Sequence, residues 1–284
     1  MKTTWTSAIF LAASCTLLGC TFDDTQTEAD ENVAETEGAL VISNALNGNA
    51  LNANALNGNA LNGNALNGNA LNGNSLAPSV LASIQDPTAT GDLARELLKY
   101  MVSCGFDAGD SFSFSWVDSD GVTHNETYGG NLGLTKDWPT KPLSTSEQEW
   151  LTACLVSRVN WYGVSVMLSS RAQHTNLHVT DVAEGQEYTN FEGAFWGNIF
   201  SATPTAYACN DGANIMHSRA ALRDCAAGHL NADGSTSNCG IITVVGDCDS
   251  HCSKPDKSDG YFPSCGLTLN GNDKTHRVIS TFIP

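Results

Sequence analysis

The sequence is poor in positive charge: 13 Lys and Arg residues stand against 30 Asp and Glu, a formal net charge of −17. Residues 21–38 carry seven of the acids and no base, and Lys2 is the one base before residue 78. Segment 78–284 therefore keeps 30 − 7 = 23 acids and 13 − 1 = 12 bases, a net charge of −11. A surface this acidic repels phosphate backbones and lacks a basic stripe, so we exclude nucleic acid as a partner.

The sequence also lacks an apolar run long enough to span a bilayer. The longest run, residues 8–18, follows Lys2 and has the length of a signal-peptide core. It leads into Gly19 and Cys20, and residues 17–20 resemble the lipobox of bacterial lipoproteins, although Leu18 is larger than usual there. The resemblance implies a signal peptide over residues 1–19 and an acylated, palmitate-bearing Cys20. An ordinary secretory signal, or lipidation at Cys15, is the alternative.

The residue after the lipidated cysteine bears on the membrane to which such a protein is sorted. An Asp there favours the inner membrane, whereas this chain has Thr21. Several acyl chains on one cysteine anchor firmly, because each buried CH₂ contributes about 0.8 kcal/mol. We therefore expect the protein to hang from a membrane of the cell envelope, the outer membrane in particular.

Apart from Cys15 and Cys20, every cysteine lies in segment 78–284. The number is even, and an export signal places the thiols in a compartment where disulfides persist, so four disulfides are expected. Eight cysteines allow 105 pairings, and the sequence does not choose among them. Structural zinc sites usually carry a repeated C-x₂-C pair, and the sequence has no such repeat. We therefore expect neither a metal nor a cofactor. The cysteines are Cys104, Cys154, Cys209, Cys225, Cys239, Cys248, Cys252 and Cys265.

Residues 44–77 repeat the unit Asn-Ala-Leu-Asn-Gly with a strict period of five, and no charged residue falls between positions 39 and 77. Asn-Gly pairs favour turns, which predicts a flexible tether between an acidic linker (20–43) and the segment that follows. A short pentapeptide-repeat solenoid is the alternative, although Asn rather than a small residue precedes each Leu by two places. Uncharged, Asn-rich repeats can also stack between chains, so self-assembly stays open.

Two helices and a hairpin are predicted in the first half of segment 78–284. Thr90 or Asp92 can cap a helix that Gly105 ends. Ser144 and Glu147 have the spacing of a capping box, and the helix they open should continue to Tyr162. Cys104 and Cys154 lie on the apolar stripes of these helices, so they are the first pairing we predict. Alternating residues 111–116 and the turn at 118–121 predict a β-hairpin.

The patterns after residue 170 are shorter. Residues 164–169, 240–245 and 277–283 are predicted as strands and residues 220–226 as a short helix, whereas residues 191–200 are apolar and aromatic and interrupted by two glycines. The predicted fold is α+β: two helices packed on a small antiparallel sheet, with a disulfide-rich C-terminal part, in one globular domain over residues 78–284.

Three stretches of this domain resemble uncharacterised exported lipoproteins of myxobacteria. They are Asn-Leu-Gly-Leu at 131–134, Trp-Leu-Thr-Ala-Cys-Leu at 150–155 and Glu-Gly-Ala-Phe-Trp-Gly-Asn at 192–198. The likeness covers most of residues 90–270. It implies a lipobox signal and a Cys-rich domain, and no activity.

Two short motifs resemble the first and last blocks of GDSL-type esterases, in which a Ser nucleophile needs a base held by an acid. Gly-Asp-Ser ends at Ser111, and Asp273 precedes His276 in a D-x-x-H pattern. In that family an apolar strand precedes the Ser and a helix follows it. Ser111 instead opens an alternating strand, so its context argues against the assignment.

Other groups have a catalytic or a structural interpretation. Glu192 lies among aromatic residues, where a carboxyl can act as the acid of a glycosidase, but spacing indicates no second carboxylate.

His174 and His178 have the spacing of metal ligands on a helix, yet β-branched neighbours favour a loop. The acid-rich segment 247–252 is best explained as a disulfide knot. The pattern at Asp118 resembles a calcium loop but fits a hairpin turn better.

The aromatic side chains at 112, 114 and 116 can stack on sugar rings, but such alternation more often marks a core face. The sequence therefore predicts no catalytic constellation. We expect a lipid-anchored domain on a flexible stalk that binds an envelope protein or a glycan. A secreted hydrolase and a self-assembling repeat protein are the alternatives.

Overall fold

The structure is a computed structural model, and it describes Leu46 and residues 78–284. The chain runs from the short helix α1 (Pro78–Ile84) into α2 (Ala89–Gly105). Thr88 caps α2 by accepting a hydrogen bond from the Thr90 N–H, so the cap lies two residues before Thr90 and four before Asp92, the two predicted caps. The apolar stripe of α2 faces the core, where Leu97, Leu98 and Met101 are fully buried. A Cβ at Gly105 would lie 2.5 Å from Thr135 Oγ1, so the end of α2 requires glycine.

The predicted hairpin is confirmed: β1 (Ser111–Val117) and β2 (Thr123–Gly129) pair antiparallel. Phe112 is buried in the core, which agrees with a core face rather than an open aromatic platform. The Asp118 carboxylate accepts the N–H groups of Asp120 and Val122 and contacts His124, so the loop is the predicted turn.

Helix α3 (Thr145–Arg158) is the buried centre of the domain. Ser144 and Glu147 form the predicted capping box, and Leu151, Cys154 and Leu155 are fully buried. The Cys104–Cys154 disulfide joins α2 to α3, as predicted, with its Cα atoms 6.1 Å apart. The helix ends at Arg158 rather than at Tyr162, because side chains described below hold its last carbonyls.

A five-stranded sheet packs against α3, with strand order β3-β9-β4-β5-β8. All its pairs are antiparallel except β5–β8, which is parallel. Two short helices, α4 (Val182–Glu187) and α5 (Ile215–Ala220), and a small hairpin of β6 (His229–Leu230) and β7 (Thr236–Ser237) complete the domain. The sheet strands are β3 (Ser169–Arg171), β4 (Asn190–Asn198), β5 (Thr205–Asn210), β8 (Thr243–Asp247) and β9 (Ile279–Ile283).

Three more disulfides join Cys209 to Cys248, Cys225 to Cys239 and Cys252 to Cys265. Two of them touch, since the Sγ atoms of Cys209 and Cys252 lie 3.6 Å apart, and they sit in a second apolar cluster beside the sheet. The α+β fold class and the use of all eight cysteines are confirmed. Over residues 78–284, no helix combines the length and apolar character needed to cross a membrane.

Several boundaries differ from the prediction. Of the strand predicted over residues 164–169, only Ser169 lies in a strand, as the first residue of β3, and the predicted helix at 220–226 lies earlier, at Ile215–Ala220. Helix α1 and strands β4 and β5 were not predicted. The signal peptide, Cys20, the acidic linker and the repeats other than Leu46 lie outside the described residues.

Candidate functional site

The end of α3 brings two aromatic side chains to the surface. Asn160 directs the turn: its Oδ1 accepts the Tyr162 N–H at 2.9 Å, and its Nδ2 donates to Val164 O at 2.7 Å. Asn160 is itself 2% exposed, whereas Trp161 and Tyr162 are 45% and 40% exposed. Large exposed aromatics that buried hydrogen bonds hold in place are typical of binding surfaces.

A buried ion pair fixes the backbone beneath these aromatics. The Arg223 guanidinium donates Nε and Nη2 to the two carboxylate oxygens of Glu192, both at 2.9 Å. The same group donates to the carbonyls of Val159 and Ser157, at 2.9 and 3.0 Å. Arginine at a helix C-terminus satisfies the free carbonyls and complements the helix dipole. Arg223 therefore sets where α3 ends.

Asp224, the next residue, lies under the exposed aromatics. Its Oδ2 accepts the Tyr162 hydroxyl at 3.1 Å and lies 2.7 Å from His229 Nδ1. Because a carboxylate can only accept, Nδ1 carries the proton and Nε2 is left facing away from Asp224. The other oxygen, Oδ1, is buried and has no hydrogen-bond partner among the described residues.

The His229 ring stacks on Trp161, with ring centroids 4.2 Å apart and planes 10° from parallel. Tyr162 meets the same ring edge-on at 5.6 Å. We call Trp161, Tyr162 and His229, with the buried Asp224 that orients them, the aromatic patch. Its rings are fixed relative to one another, which lowers the entropy lost when a ligand stacks on them.

The neighbourhood of Asp224 raises the pKa of the Tyr162 phenol above its usual value. Partial burial is the main cause; the negative charge of Asp224 and the hydrogen bond to it add to the effect. Arg219 acts in the opposite direction. A neutral phenol and a stacked imidazole give the patch polar edges without a fixed anion on its surface.

Local backbone features hold the segment that carries Asp224. A Cβ on Gly193 would lie 2.5 Å from the Ala226 Cβ, so the missing side chain lets this segment pack tightly on β4. The Cys225–Cys239 disulfide closes the loop that contains His229. Leu222 has a positive φ of 57°, and this turn sends Arg223 inward.

The patch contains part of a hydrolase arrangement and lacks the rest. An acid that orients a histidine is two-thirds of a Ser-His-Asp triad. Within the part of the chain that the structure describes, no hydroxyl or thiol forms a hydrogen bond with His229 Nε2.

The residues of the esterase-like motifs lie on separate elements. Ser111 opens β1 in the two-stranded hairpin, and exposed His276 precedes β9 of the large sheet. The Asp273 carboxylate accepts the Leu267 N–H. Across segment 78–284, no hydrogen bond links Ser111 to either Asp273 or His276.

Glu192 lies behind the patch and not on it. Its side chain is fully buried, and both carboxylate oxygens accept from Arg223. It holds the Arg223 guanidinium against the end of α3 and has no exposed oxygen to offer a sugar.

The paired histidines flank a single 3₁₀ turn, Thr175–Leu177, rather than lying on one helix. His174 Nδ1 accepts the Asn176 N–H, while His178 Nδ1 lies 2.9 Å from Asp259 Oδ2. Burial lowers the pKa of His174, and His178 adds to this. Each ring thus has a separate partner within the protein.

Two buried groups place sulfur or carboxylate atoms within 4.8 Å of one another: Cys209 with Cys252 and Cys265, and Asp224 with Cys225 and Cys239. All five cysteines are in disulfides. A metal-binding cysteine must be a thiolate, so these sulfurs serve as crosslinks.

Sequence reasoning missed Trp161, His229 and Asp224. Tyr162 was assigned to the buried stripe of α3, which in fact ends four residues earlier. Tyr162 and Asp224 are 62 residues apart, and no spacing rule joins them. The available signal was two adjacent aromatics between a helix and Gly163.

Comparison with known proteins adds no name to this geometry: no family model, no curated protein and no solved structure matches the chain. What the protein does must therefore be inferred from its own residues.

Proposed function

We propose that the protein is a lipid-anchored protein of the cell envelope whose folded domain binds an uncharged envelope glycan through the aromatic patch. The observation that carries the proposal is the exposed Trp161–Tyr162 pair, locked against His229 by the buried Asp224. Aromatic rings bind the apolar faces of sugars, and nearby polar groups orient the hydroxyls.

The charge of the domain supports an uncharged ligand. Segment 78–284 carries a net charge of −11, so it repels polyanions at long range. On the patch, the Tyr162 hydroxyl and His229 Nε2 are hydrogen-bonding groups at the edges of the rings.

Export is supported by the four disulfides, which persist in oxidising compartments. The lipobox-like segment before Cys20 supports anchoring, and Thr21 supports the outer membrane. The anchor and the repeat segment would then hold the patch away from the membrane, within reach of wall or surface glycans.

Binding is tested with the purified mature protein and two uncharged insoluble glycans, chitin and cellulose. We expect retention on at least one of them. Trp161→Ala should weaken that binding by about tenfold or more, because the stacking platform is removed. Val182→Ala on α4, which also removes an exposed apolar side chain, is the matched control and should bind as the native protein does. Retention on none of the glycans, or equal binding by both variants, would refute the glycan proposal.

Anchoring is tested separately in the native cell. A clickable palmitate analogue should label the protein, and Cys20→Ser should abolish both the label and membrane fractionation. Label retained in Cys20→Ser would show that the lipid is elsewhere or that the lipobox interpretation is wrong.

The hydrolase alternative has no comparable support, because Ser111 and His276 have no common site. A fluorophosphonate probe tests it directly. Labelling of the native protein that Ser111→Ala removes would overturn the binding proposal in favour of a serine hydrolase.

A further inference from the structure

Leu46 is the first leucine of the repeats, and it is built into the folded domain. Its side chain is fully buried in the main core cluster. Its N–H donates to Arg158 O at 3.2 Å, and its carbonyl accepts the Asn160 N–H at 3.0 Å. These two bonds form a parallel β-bridge with Val159. We call this place at the end of α3 the leucine slot.

The leucine slot binds a leucine side chain and its backbone groups, and the repeat segment contains the same leucine unit several times. It takes one buried leucine and pairs with the N–H and the carbonyl of that residue, which is the way extended peptides add to an exposed backbone edge. The unit Asn-Ala-Leu-Asn-Gly around Leu46 occurs again, unchanged, around Leu56, Leu61, Leu66 and Leu71. Every contact that the slot makes with Leu46 is therefore available to four further units.

Chain connectivity does not select the first unit. Leu46 lies 32 residues before Pro78, and Leu56 lies 22 residues before it. Loop-closure entropy depends on the logarithm of loop length, so this difference changes the docking equilibrium by less than about twofold, in favour of the later unit. Burying one leucine favours the docked state by roughly 10- to 100-fold, whichever unit supplies it.

We propose that the leucine slot is a binding site for the Asn-Ala-Leu-Asn-Gly unit and that the later units of the same chain exchange with the first one in it. Exchange in steps of five residues changes how much chain separates Cys20 from the docked leucine: 26 residues with Leu46 in the slot, 36 with Leu56. The repeat segment is then an adjustable tether. This inference does not depend on the glycan proposal.

The slot is rigid because the groups that define it are fixed from behind. Arg223 holds the carbonyls of Ser157 and Val159, on either side of the Arg158 carbonyl that Leu46 uses. Asn160 also orients Tyr162. The repeat-binding slot and the aromatic patch therefore share one turn of the chain.

The test uses the full mature protein and amide hydrogen exchange of Asn160, whose N–H reports an occupied slot. Leu46→Ser should leave the protection of Asn160 within about threefold of native, because another unit takes the place of the first. Loss of protection in this single variant would overturn the proposal, since the slot would then accept Leu46 alone.

A second variant changes all seven repeat leucines to Ser and should lose Asn160 protection at least tenfold. Its matched control changes Leu56, Leu61, Leu66 and Leu71 but keeps Leu46, and should stay protected. A synthetic peptide of residues 54–68 added to the all-serine variant should restore protection, and the same peptide with Ser for Leu should not. Protection in the all-serine variant without peptide, or no rescue by the peptide, would refute repeat binding.

Discussion

Arg223 and Asp224 are adjacent in the chain, yet they serve two regions of different character. Arg223 faces the interior, where Glu192 and two carbonyls accept from its guanidinium. Asp224 lies under the surface patch, where it holds Tyr162 and His229 and leaves Oδ1 without a partner among the described residues. The interior is closed to further ligands, whereas the patch keeps free hydrogen-bonding groups beside exposed rings. The buried ion pair and the proposed binding surface thus depend on consecutive residues.

The interior itself contains a second contrast. Arg158 is as deeply buried as Arg223, but its Nη1 donates only to Ser170 Oγ and its Nη2 has no partner in segment 78–284. Burial lowers the pKa of Arg158 to about 9, and the positive charge of Arg223 adds to this shift. Two buried guanidiniums thus lie in one region, and both oxygens of the Glu192 carboxylate accept hydrogen bonds from Arg223.

Replacing Arg223 should have the largest effect. Arg223→Met leaves the Glu192 carboxylate and two helix carbonyls buried without donors, which should cost about 3–5 kcal/mol of unfolding free energy. Arg158→Met is the matched control: it removes a poorly compensated charge and should change stability by less than about 1 kcal/mol. Urea denaturation measures both. Equal losses in the two variants would show that the hydrogen-bond difference between the arginines is unimportant.

The Cys225–Cys239 disulfide tests whether the patch depends on its loop. Changing both residues to Ser opens a loop with a sequence separation of 14, which should cost about 3 kcal/mol. It should also abolish the upfield NMR shift that the Trp161 ring imposes on His229. Removing Cys252–Cys265, with a separation of 13, is the control, expected to cost as much stability and to keep the shift. Retention of the shift in both would separate the patch from its loop.

Much of the interior followed from local sequence rules, and the patch did not. The cap at Ser144, the hairpin at 111–129 and the pairing of Cys104 with Cys154 depend on residues close in sequence or on one face of a helix. Such features follow from periodicity and capping chemistry.

The candidate site depends on contacts across the chain. Glu192 and Arg223 are 31 residues apart, and no local sequence pattern predicts that they form a buried ion pair. The same pair ends α3 before Tyr162, so the error in the helix boundary and the missed patch have one cause. The disulfide number was predictable from composition and compartment; three of the four pairings were not.

Leu222 connects the two regions and carries a backbone cost. Its positive φ of 57° is unfavourable for a residue with a Cβ, and the side chain is 46% exposed. Leu222→Gly should therefore raise the free energy of unfolding, measured by thermal denaturation, by about 1 kcal/mol, because glycine adopts this conformation without strain. Leu230→Gly is the control: Leu230 is also largely exposed but lacks a positive φ, so it should lose stability. A loss at both positions would mean that burial of the Leu222 side chain outweighs the strain.

The smallest expected effect is on the ionisation of Tyr162, and it sharpens the comparison because Asp224 contributes to it after partial burial. The folded protein holds the pKa of Tyr162 above the usual 10.0 through partial burial first, and then through the charge and hydrogen bond of Asp224. The folded state keeps this proton at a pH where the unfolded state has lost it, so the stability contributed is present below about pH 10 and is lost as pH rises through the folded-state pKa. The titration is followed by phenolate absorbance. Subtracting the absorbance of Tyr162→Phe from that of the native protein leaves the signal of Tyr162 and removes those of Tyr188 and Tyr261, whose pKa values are also raised. Asp224→Asn should move the transition to lower pH; an unchanged transition would mean that burial alone governs the phenol.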